Sequence, residues 1–345
     1  MLGRPFILLA GLLAVTPFLQ GADTPRFDAG ISLYNAGKYD EALREFSASE
    51  KEHEQQPGRL FYQGVCLAKQ GAWTAAASYL DRYTQSSAAD ARGWFWLAQS
   101  QLYSKQFGES KTAIQRAIEL DSKSAGNYRT LGEIELELKN YDAAYRAWVK
   151  ANQLDPQDAR TTYYIGRLFF EADFLNEAAA WFRETLKIAP KHFAAMTYLG
   201  MCAERLNMEK TAGELYAAAI HESKNQGKPF SWAFLSYAAL LRQRGKEQEA
   251  FGILEEAEKI CPEAHLLTLL GQMLAAANQP ARAETVVRRA IDMDPAISGA
   301  HYRLALLLRA RGQAAEAHAE MQKFQQAKEA EERNKLKVQA IRKER

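Results

Sequence analysis

Apolar residues recur along this chain at the three- and four-residue spacing of amphipathic helices, and the helical stretches come in pairs. Residues 125–158 show the pattern most clearly, with the sequence AGNYRTLGEIELELKNYDAAYRAWVKANQLDPQD. Leu131 lies on the apolar face of the first stretch and Trp148 on that of the second, and the polar residues 139–140 separate them. Pro156 ends the pair, because proline cannot continue a helix. This window predicts two antiparallel helices joined by a short turn.

This window occurs nine times along the chain, beginning at residues 23, 57, 91, 125, 159, 193, 231, 264 and 298. A small residue occupies one place in every first helix: Gly30, Gly64, Ala98, Gly132, Gly166, Gly200, Ala238, Gly271 and Ala305. Twelve positions later, the second helix carries Ala42, Ala76, Ser110, Ala144, Ala178, Ala212, Ala250, Ala283 and Ala317. Short side chains at both places allow the two helices of a pair to pack at a short interaxial distance. The repetition predicts an array of nine similar helix pairs.

The order of aromatic, Leu-Gly, Ala and Pro signals in these windows resembles the tetratricopeptide repeat, which has a period of ~34 residues. The resemblance extends over about residues 23–324 and implies an all-α, right-handed solenoid of nine helix-turn-helix repeats. Repeats one to six are assigned to residues 23–220 and repeats seven to nine to residues 231–324. Residues 221–230 are assigned to an insertion loop, although the segment also fits an extension of the preceding helix. Such an insertion either is a tolerated surface loop, which costs little free energy, or marks a bend in the array.

The two ends of the chain differ from the repeats. Residues 1–22 combine Arg4, an almost wholly apolar stretch at 6–19 and a Gln-Gly-Ala sequence at 20–22, which is the pattern of a secretory signal peptide. Because about 14 apolar residues fall short of the ~20 needed to cross a bilayer, we favour cleavage near Ala22 over a retained anchor. We therefore expect an exported bacterial protein, either periplasmic or secreted. Residues 325–345 are predicted to be a charged C-terminal capping helix or tail, whose basic end makes at most a peripheral contact with a membrane.

Charge and composition argue against several classes of function. Charged residues make up 25% of the chain and the formal net charge is +2, so no global field favours nucleic acid. The six histidines show no metal-ligand spacing with one another or with cysteine. The sequence contains no phosphate loop, dinucleotide fingerprint or nucleophile elbow. Cys66, Cys202 and Cys261 are predicted to be single thiols that pack as small hydrophobes. We therefore predict no enzymatic activity, no cofactor and no bound metal.

In proteins of this family the first helices line a concave groove, and the second, fifth, sixth, ninth and twelfth places of each window face into it. Transferred to this sequence, the resemblance implies a groove set of aromatic residues and arginines: Phe61, Tyr62, Arg92, Phe95, Trp96, Arg129, Arg160, Tyr163, Tyr164, Arg167, Phe170 and Tyr198. Side chains of this kind dominate protein-binding hot spots, because they combine a large apolar area with a planar cation. The alternative is that several of them pack between neighbouring repeats.

One groove chemistry known in the family is missing from this sequence. Members that bind a partner's terminal carboxylate use Lys at the fifth place and Asn at the ninth, whereas the second window has Phe61 and Val65 there. No later window restores the Lys and Asn pair. The predicted partner is therefore an internal extended or helical protein segment, with acidic side chains facing Arg92, Arg160 and Arg167.

Two functions remain open for such an array. The first is a non-enzymatic scaffold or adaptor of the cell envelope, which binds a protein or peptide segment in its groove and positions an envelope complex. The second is a regulatory or substrate-presenting subunit of an exported enzyme that acts on polysaccharide or peptidoglycan, because aromatic and arginine side chains also stack against sugars. Nucleic-acid binding is not expected of an exported chain whose charge is close to neutral.

Overall fold

The computed structural model describes residues 25–49 and 57–343 of the chain. Within these ranges the backbone forms eighteen α-helices and no strand. The helices are α1 (Pro25–Asn35), α2 (Tyr39–Ala48), α3 (Pro57–Lys69), α4 (Trp73–Ser86), α5 (Ala91–Tyr103), α6 (Phe107–Leu120), α7 (Ala125–Glu137), α8 (Tyr141–Leu154), α9 (Ala159–Glu171), α10 (Leu175–Ile188), α11 (Phe193–Arg205), α12 (Glu209–Asn225), α13 (Ser231–Gln243), α14 (Glu247–Ile260), α15 (Ala264–Ala276), α16 (Pro280–Met293), α17 (Ser298–Ala310) and α18 (Ala314–Lys343). The predicted signal peptide, residues 1–22, lies outside the described residues.

The two helices of a pair pack closely at the small-residue places. A Cβ atom added to Gly166 of α9 would lie 2.8 Å from Cε1 of Phe182 on α10. At Gly271 of α15 the same atom would lie 2.4 Å from Cγ2 of Val287 on α16. Carbon atoms in ordinary contact are about 3.5–4.0 Å apart. Glycine is therefore required by the close approach of the helices, which confirms the packing predicted for these two pairs.

Each pair is closed by a short turn with one residue in the left-handed region of backbone space. Four of these turns use glycine, and the others use Lys105, Lys139, Asp173, Asn207 and Asn278. The N–H of Asn207 donates to the carbonyl of Glu204 (3.0 Å), and the N–H of Met208 donates to that of Ala203 (2.8 Å). These two bonds form a Schellman motif, which satisfies the last carbonyls of the helix and reverses the chain.

Contacts between helices divide the chain into two compact units, one ending at Asn140 and the other beginning at Tyr141. Within each unit a helix packs mainly on the helices next to it in the sequence. Leu80 in the first unit and Phe182 and Tyr216 in the second are completely buried, and all three occupy the same place in their repeats. The core of each unit thus contains similar contacts in successive repeats, as expected for a repeat array.

The segment predicted to be an insertion loop, residues 221–230, is half helical. α12 is 17 residues long, against 14 for α10, and it continues to Asn225. Its extra turn buries Ser223, whose hydroxyl donates to the carbonyl of Ile220 (3.0 Å), and Gly227 follows with a φ of 64°. A loop over the whole range was wrong, because the helix continues where no proline stops it and one face remains buried. The compact units divide at Asn140 and not within this segment.

The charged tail predicted from residue 325 is the continuation of the last helix, because α18 runs unbroken from Ala314 to Lys343. Near its start, α18 is joined to α17 by the buried ring of His301. Nδ1 of this ring lies 2.6 Å from Oε2 of Glu320, and Nε2 lies 3.0 Å from the carbonyl oxygen of Pro295. The ring thereby connects α17 to α18 and to the segment that precedes α17.

Two thiols are packed inside the array. Cys66 and Cys202 are completely buried, and burial raises the pKa of each to about 11. They are therefore neutral and behave as small hydrophobes, as the sequence predicts. Among the described helices, none is both long enough and apolar enough to cross a membrane.

Candidate functional site

The predicted groove residues lie on first helices and fall into two sets, one in each compact unit. The first set is carried by α3, α5 and α7 and comprises Phe61, Tyr62, Arg92, Phe95, Trp96 and Arg129. The second set is carried by α9 and α11 and comprises Arg160, Tyr163, Tyr164, Arg167, Phe170 and Tyr198. We call the first the N-terminal aromatic set and the second the C-terminal aromatic set.

In the N-terminal aromatic set, Phe61 is a core residue. Its side chain is 8% exposed, and its ring centroid lies 5.3 Å from that of Tyr83. Tyr62 is half-buried and stacks on Phe46 at 5.5 Å, and burial raises the pKa of its phenol. The expectation that Phe61 lines an open groove is not met, because a bulky aromatic at the fifth place fills the space between α3 and the neighbouring helices.

Arg92 is held by its own N-cap. Asp90 caps α5 by accepting the backbone N–H of Arg92 (3.0 Å), and the same carboxylate accepts Nε (3.0 Å) and Nη2 (2.9 Å) of the guanidinium. The hydroxyl of Tyr83 donates to it as well (2.6 Å). Burial alone would raise the pKa of Asp90, but the hydrogen bonds from Arg92 and Tyr83 outweigh it and lower that pKa. The positive charge predicted to meet a partner's acidic side chain is therefore already paired.

Trp96 and Phe95 are neighbouring rings of α5 in the N-terminal aromatic set. Both are half-buried, and their rings meet edge to face at 5.8 Å. Nζ of Lys69 lies 4.9 Å from the centre of the Trp96 ring. Arg129 on α7 lies near a carboxylate of its own helix, with Nε 3.9 Å from Oε1 of Glu133. This arrangement offers a partner an indole and a phenyl ring, with the exposed cation of Lys69 beside the indole.

The C-terminal aromatic set is organised around Arg167. Its guanidinium lies 6.0 Å from the ring centre of Tyr163 and 5.6 Å from that of Tyr198, which are typical cation–π distances. The two tyrosine rings lie 5.9 Å apart, and Phe170 meets Tyr198 edge to face at 5.3 Å. We call these four residues, Tyr163, Arg167, Phe170 and Tyr198, the tyrosine cradle.

Arg167 differs from Arg92 in lacking a carboxylate partner. Its Nε is buried and has no hydrogen-bond partner among the described residues, and its side chain makes no ion pair there. Glu171, one turn further along α9, acts on it electrostatically but is exposed and neither bonds nor pairs with it. Burial raises the pKa of Tyr163, so the phenol stays neutral. The cradle therefore contains a half-buried cation to which no carboxylate of the described residues is bonded.

Two residues that the sequence reasoning did not select border the cradle. Arg205 at the end of α11 lies 5.4 Å from the ring centre of Phe170 and pairs with Asp173. His192 is the N-cap of α11, where its Nδ1 accepts the N–H of Ala195 (3.1 Å), and its ring lies 4.8 Å from that of Tyr163. Burial lowers the pKa of His192, so the ring is neutral. His192 stands directly before α11, as Asp90 stands directly before α5. This N-cap position is the sequence feature that could have identified His192.

Arg160 and Tyr164 occupy the other end of the C-terminal aromatic set. Tyr164 stacks on the buried Trp148 at 5.2 Å with an interplanar angle of 7°. The guanidinium of Arg160 lies 5.7 Å from the Tyr164 ring, and its Nη2 donates to the phenol oxygen (3.4 Å). Asp158, the N-cap of α9, accepts the backbone N–H of Arg160 (3.1 Å). Tyr164 thus contributes one face to the helix packing, as the alternative interpretation of the sequence allowed.

The arrangement suits binding by stacking and charge. In the part of the chain that the structure describes, no group of His, Cys, Asp and Glu side chains is placed to hold a metal ion.

The tetratricopeptide-repeat family matches residues 27–91, 96–159, 143–193, 163–228 and 268–332. The chain belongs to the tetratricopeptide-repeat family. These matches extend over more than half of the chain, and the helix-turn-helix architecture predicted from the sequence is confirmed. Tetratricopeptide repeats bind protein or peptide partners, and the family fits a protein–protein interaction scaffold.

Individual relatives are distant. Superkiller complex protein 3 of Mus musculus is 27% identical over 130 residues, which are 37% of this chain and 8% of that protein. Among solved structures, the Cut9–Hcn1 hetero-tetramer of the APC/C aligns with a TM-score of 0.60 and 13% identity, over 82% of this chain and 55% of that one. Yeast Tom70 aligns with a TM-score of 0.62 and 17% identity, over 84% of this chain and 64% of that one. The chain spans less than a tenth of superkiller complex protein 3, and identities this low to solved structures show the fold alone.

Proposed function

We propose that this chain is a non-enzymatic adaptor of the bacterial cell envelope, which binds a segment of a partner protein on the aromatic faces of its first helices. The observation that carries the proposal is the tyrosine cradle, where aromatic rings surround a half-buried arginine without an ion-pair partner among the described residues. Aromatic and arginine side chains in such a setting are typical anchors of protein interfaces. The N-terminal aromatic set provides a second anchor in Trp96.

The envelope location rests on the sequence of residues 1–22, which has the charge, apolar length and cleavage pattern of a signal peptide. It is tested by locating the chain in cell fractions and by sequencing its N-terminus. A mature N-terminus close to Asp23 in the periplasm or medium is the expected result. An intact N-terminus in the cytoplasm would contradict export without affecting the binding proposal.

The binding proposal is tested by affinity capture from envelope extracts, with bound proteins identified by mass spectrometry. The purified chain is compared with Trp96→Ala and Tyr163→Ala, which remove one anchor from each aromatic set. Phe174→Ala is a matched control, because it removes an aromatic side chain that is 45% exposed at a turn. Circular dichroism verifies that all variants keep their helix content.

We expect a partner that is captured by wild type and by Phe174→Ala and is lost with one or both anchor variants. A partner that all three variants retain would refute the proposed faces. Retention on peptidoglycan or polysaccharide, lost with Tyr163→Ala and accompanied by no captured protein, would favour the role as a substrate-presenting subunit instead. Turnover of a substrate by the purified chain alone would refute the non-enzymatic role.

A further inference from the structure

Arg92 of the N-terminal aromatic set and Arg167 of the tyrosine cradle differ in how their positive charge is met, and this difference bears on the chemistry of a partner. Asp90 precedes Arg92 by two positions and binds its guanidinium through two hydrogen bonds. The residue two positions before Arg167 is Ile165, which is completely buried. Arg167 consequently has no carboxylate bonded to it among the described residues; the exposed Glu171 acts on it only electrostatically, and the rings of Tyr163 and Tyr198 are its direct contacts.

Leaving a cation partly desolvated is costly unless an anion or a set of acceptors meets it. The rings of Tyr163 and Tyr198 stabilise the charge through their faces but accept no strong hydrogen bond from the guanidinium. Both pairs that flank the cradle, Arg205 with Asp173 and Arg160 with Tyr164, are already formed within the chain. The unfilled interaction is therefore that of a carboxylate, which a guanidinium binds with planar, charge-assisted hydrogen bonds.

We infer that the tyrosine cradle is a receptor for a single Glu or Asp side chain of an extended peptide segment, with Arg167 as the residue that binds the carboxylate. The inference rests on the proposed adaptor function and adds the chemistry of the partner. Tyr163 and Tyr198 flank the carboxylate and contact the apolar part of the neighbouring peptide. Arg92 takes no part in acid recognition, because Asp90 already occupies it.

The test uses a cellulose array of twelve-residue peptides of random sequence, acetylated and amidated so that no terminal charge remains. Every peptide containing Glu or Asp is paired with a copy in which that residue is Gln or Asn. The full chain is compared with Arg167→Gln, which removes the charge, and with Arg167→Lys, which keeps the charge but loses the planar fork. Arg183→Gln removes an exposed cation from α10 and is the matched control.

We expect wild type to bind acidic peptides at least tenfold more tightly than their amide copies, because a hydrogen bond to a charged group is worth about one to two factors of ten in affinity. Arg167→Gln removes this preference, Arg167→Lys retains only part of it, and Arg183→Gln leaves it intact. If Arg167→Gln and Arg183→Gln lose the preference for acidic peptides equally, the inference is overturned. The positive charge of the surface as a whole would then explain that preference.

The outcomes separate the two proposals. Peptides that bind wild type regardless of charge, and are lost with Tyr163→Ala but not with Arg167→Gln, would overturn acid recognition and leave the adaptor function standing. No binding of any peptide, together with retention on an uncharged polysaccharide, would overturn both.

Discussion

Replacing Gly271 by Ala tests whether the close approach of paired helices sets the stability of a repeat. The new Cβ would lie 2.4 Å from Cγ2 of Val287, which is completely buried, and 3.5 Å from the carbonyl oxygen of Ala283. Val287 is β-branched and stiff at χ1, so it cannot rotate away as a long side chain would. Overpacking of this kind costs about 1–3 kcal/mol. The higher helix propensity of alanine offsets about 1 kcal/mol, and a net loss of up to about 2 kcal/mol is expected.

Gly252 provides the matched control, because it also lies inside a helix, α14, but has nothing within 4 Å of an added Cβ. Gly252→Ala should therefore gain up to about 1 kcal/mol from helix propensity. Urea unfolding followed by circular dichroism gives the free energy of unfolding of both variants. Their difference isolates the steric cost of about 1–3 kcal/mol. If Gly271→Ala is as stable as Gly252→Ala, the close-packing argument fails.

Three further changes test individual contacts. Tyr216→Phe removes the donor to the carboxylate of Glu204 (2.7 Å) and should lower the free energy of unfolding by about 1–3 kcal/mol. Urea melts measure this loss, and an unchanged midpoint would contradict a stabilising hydrogen bond. Burial lowers the pKa of His192 below its ordinary 6.5, so the free energy of unfolding of wild type decreases as the pH falls below 6.5. His192→Asn keeps a helix cap without a titrating ring, and its stability relative to wild type should increase between pH 7.5 and 5. Burial alone would raise the pKa of Glu320, but hydrogen bonds from Lys323 and His301 lower it below 4.5. Glu320→Gln should therefore cost stability at pH 7 and progressively less as the pH falls below 4.5; in both pH series, parallel stability curves would contradict the assignment.

The fold could be predicted from the sequence because its determinants are local and repeated. A glycine or alanine twelve positions before another small residue fixes how two helices meet, and the same pattern recurs in every window. Gly166 and Gly271 lie at close approaches of paired helices, although the side chains nearest to an added Cβ belong to Phe182 and Val287 and not to the small residues twelve positions later. The extension of α12 to Asn225 remained one of two alternatives, because the polar residues before Pro229 are compatible with either a loop or a helix. Only the burial of Ser223 decides between the two.

The residue types of the candidate site can be selected from the sequence, whereas their burial and electrostatics cannot. The family pattern specifies which positions of a first helix face the groove. It does not determine whether the side chain at such a position is buried, like Phe61, or half-buried, like Trp96. It also treats Arg92 and Arg167 alike, although one is paired and the other is not. The spacing of Asp90 and Arg92 contains the missing information, since an N-cap carboxylate is within reach of a side chain two residues later.

The neighbour-to-neighbour packing within each unit has a consequence for how the chain acquires its structure. Most contacts join helices that are adjacent in the sequence. Bringing two such helices together therefore costs little loop-closure entropy before their packing stabilises the pair. Folding can begin at any pair and spread to the next, so a polypeptide that emerges end first from a ribosome or a membrane channel can form its repeats one after another. The last pair to form packs on a surface that the preceding pair already presents.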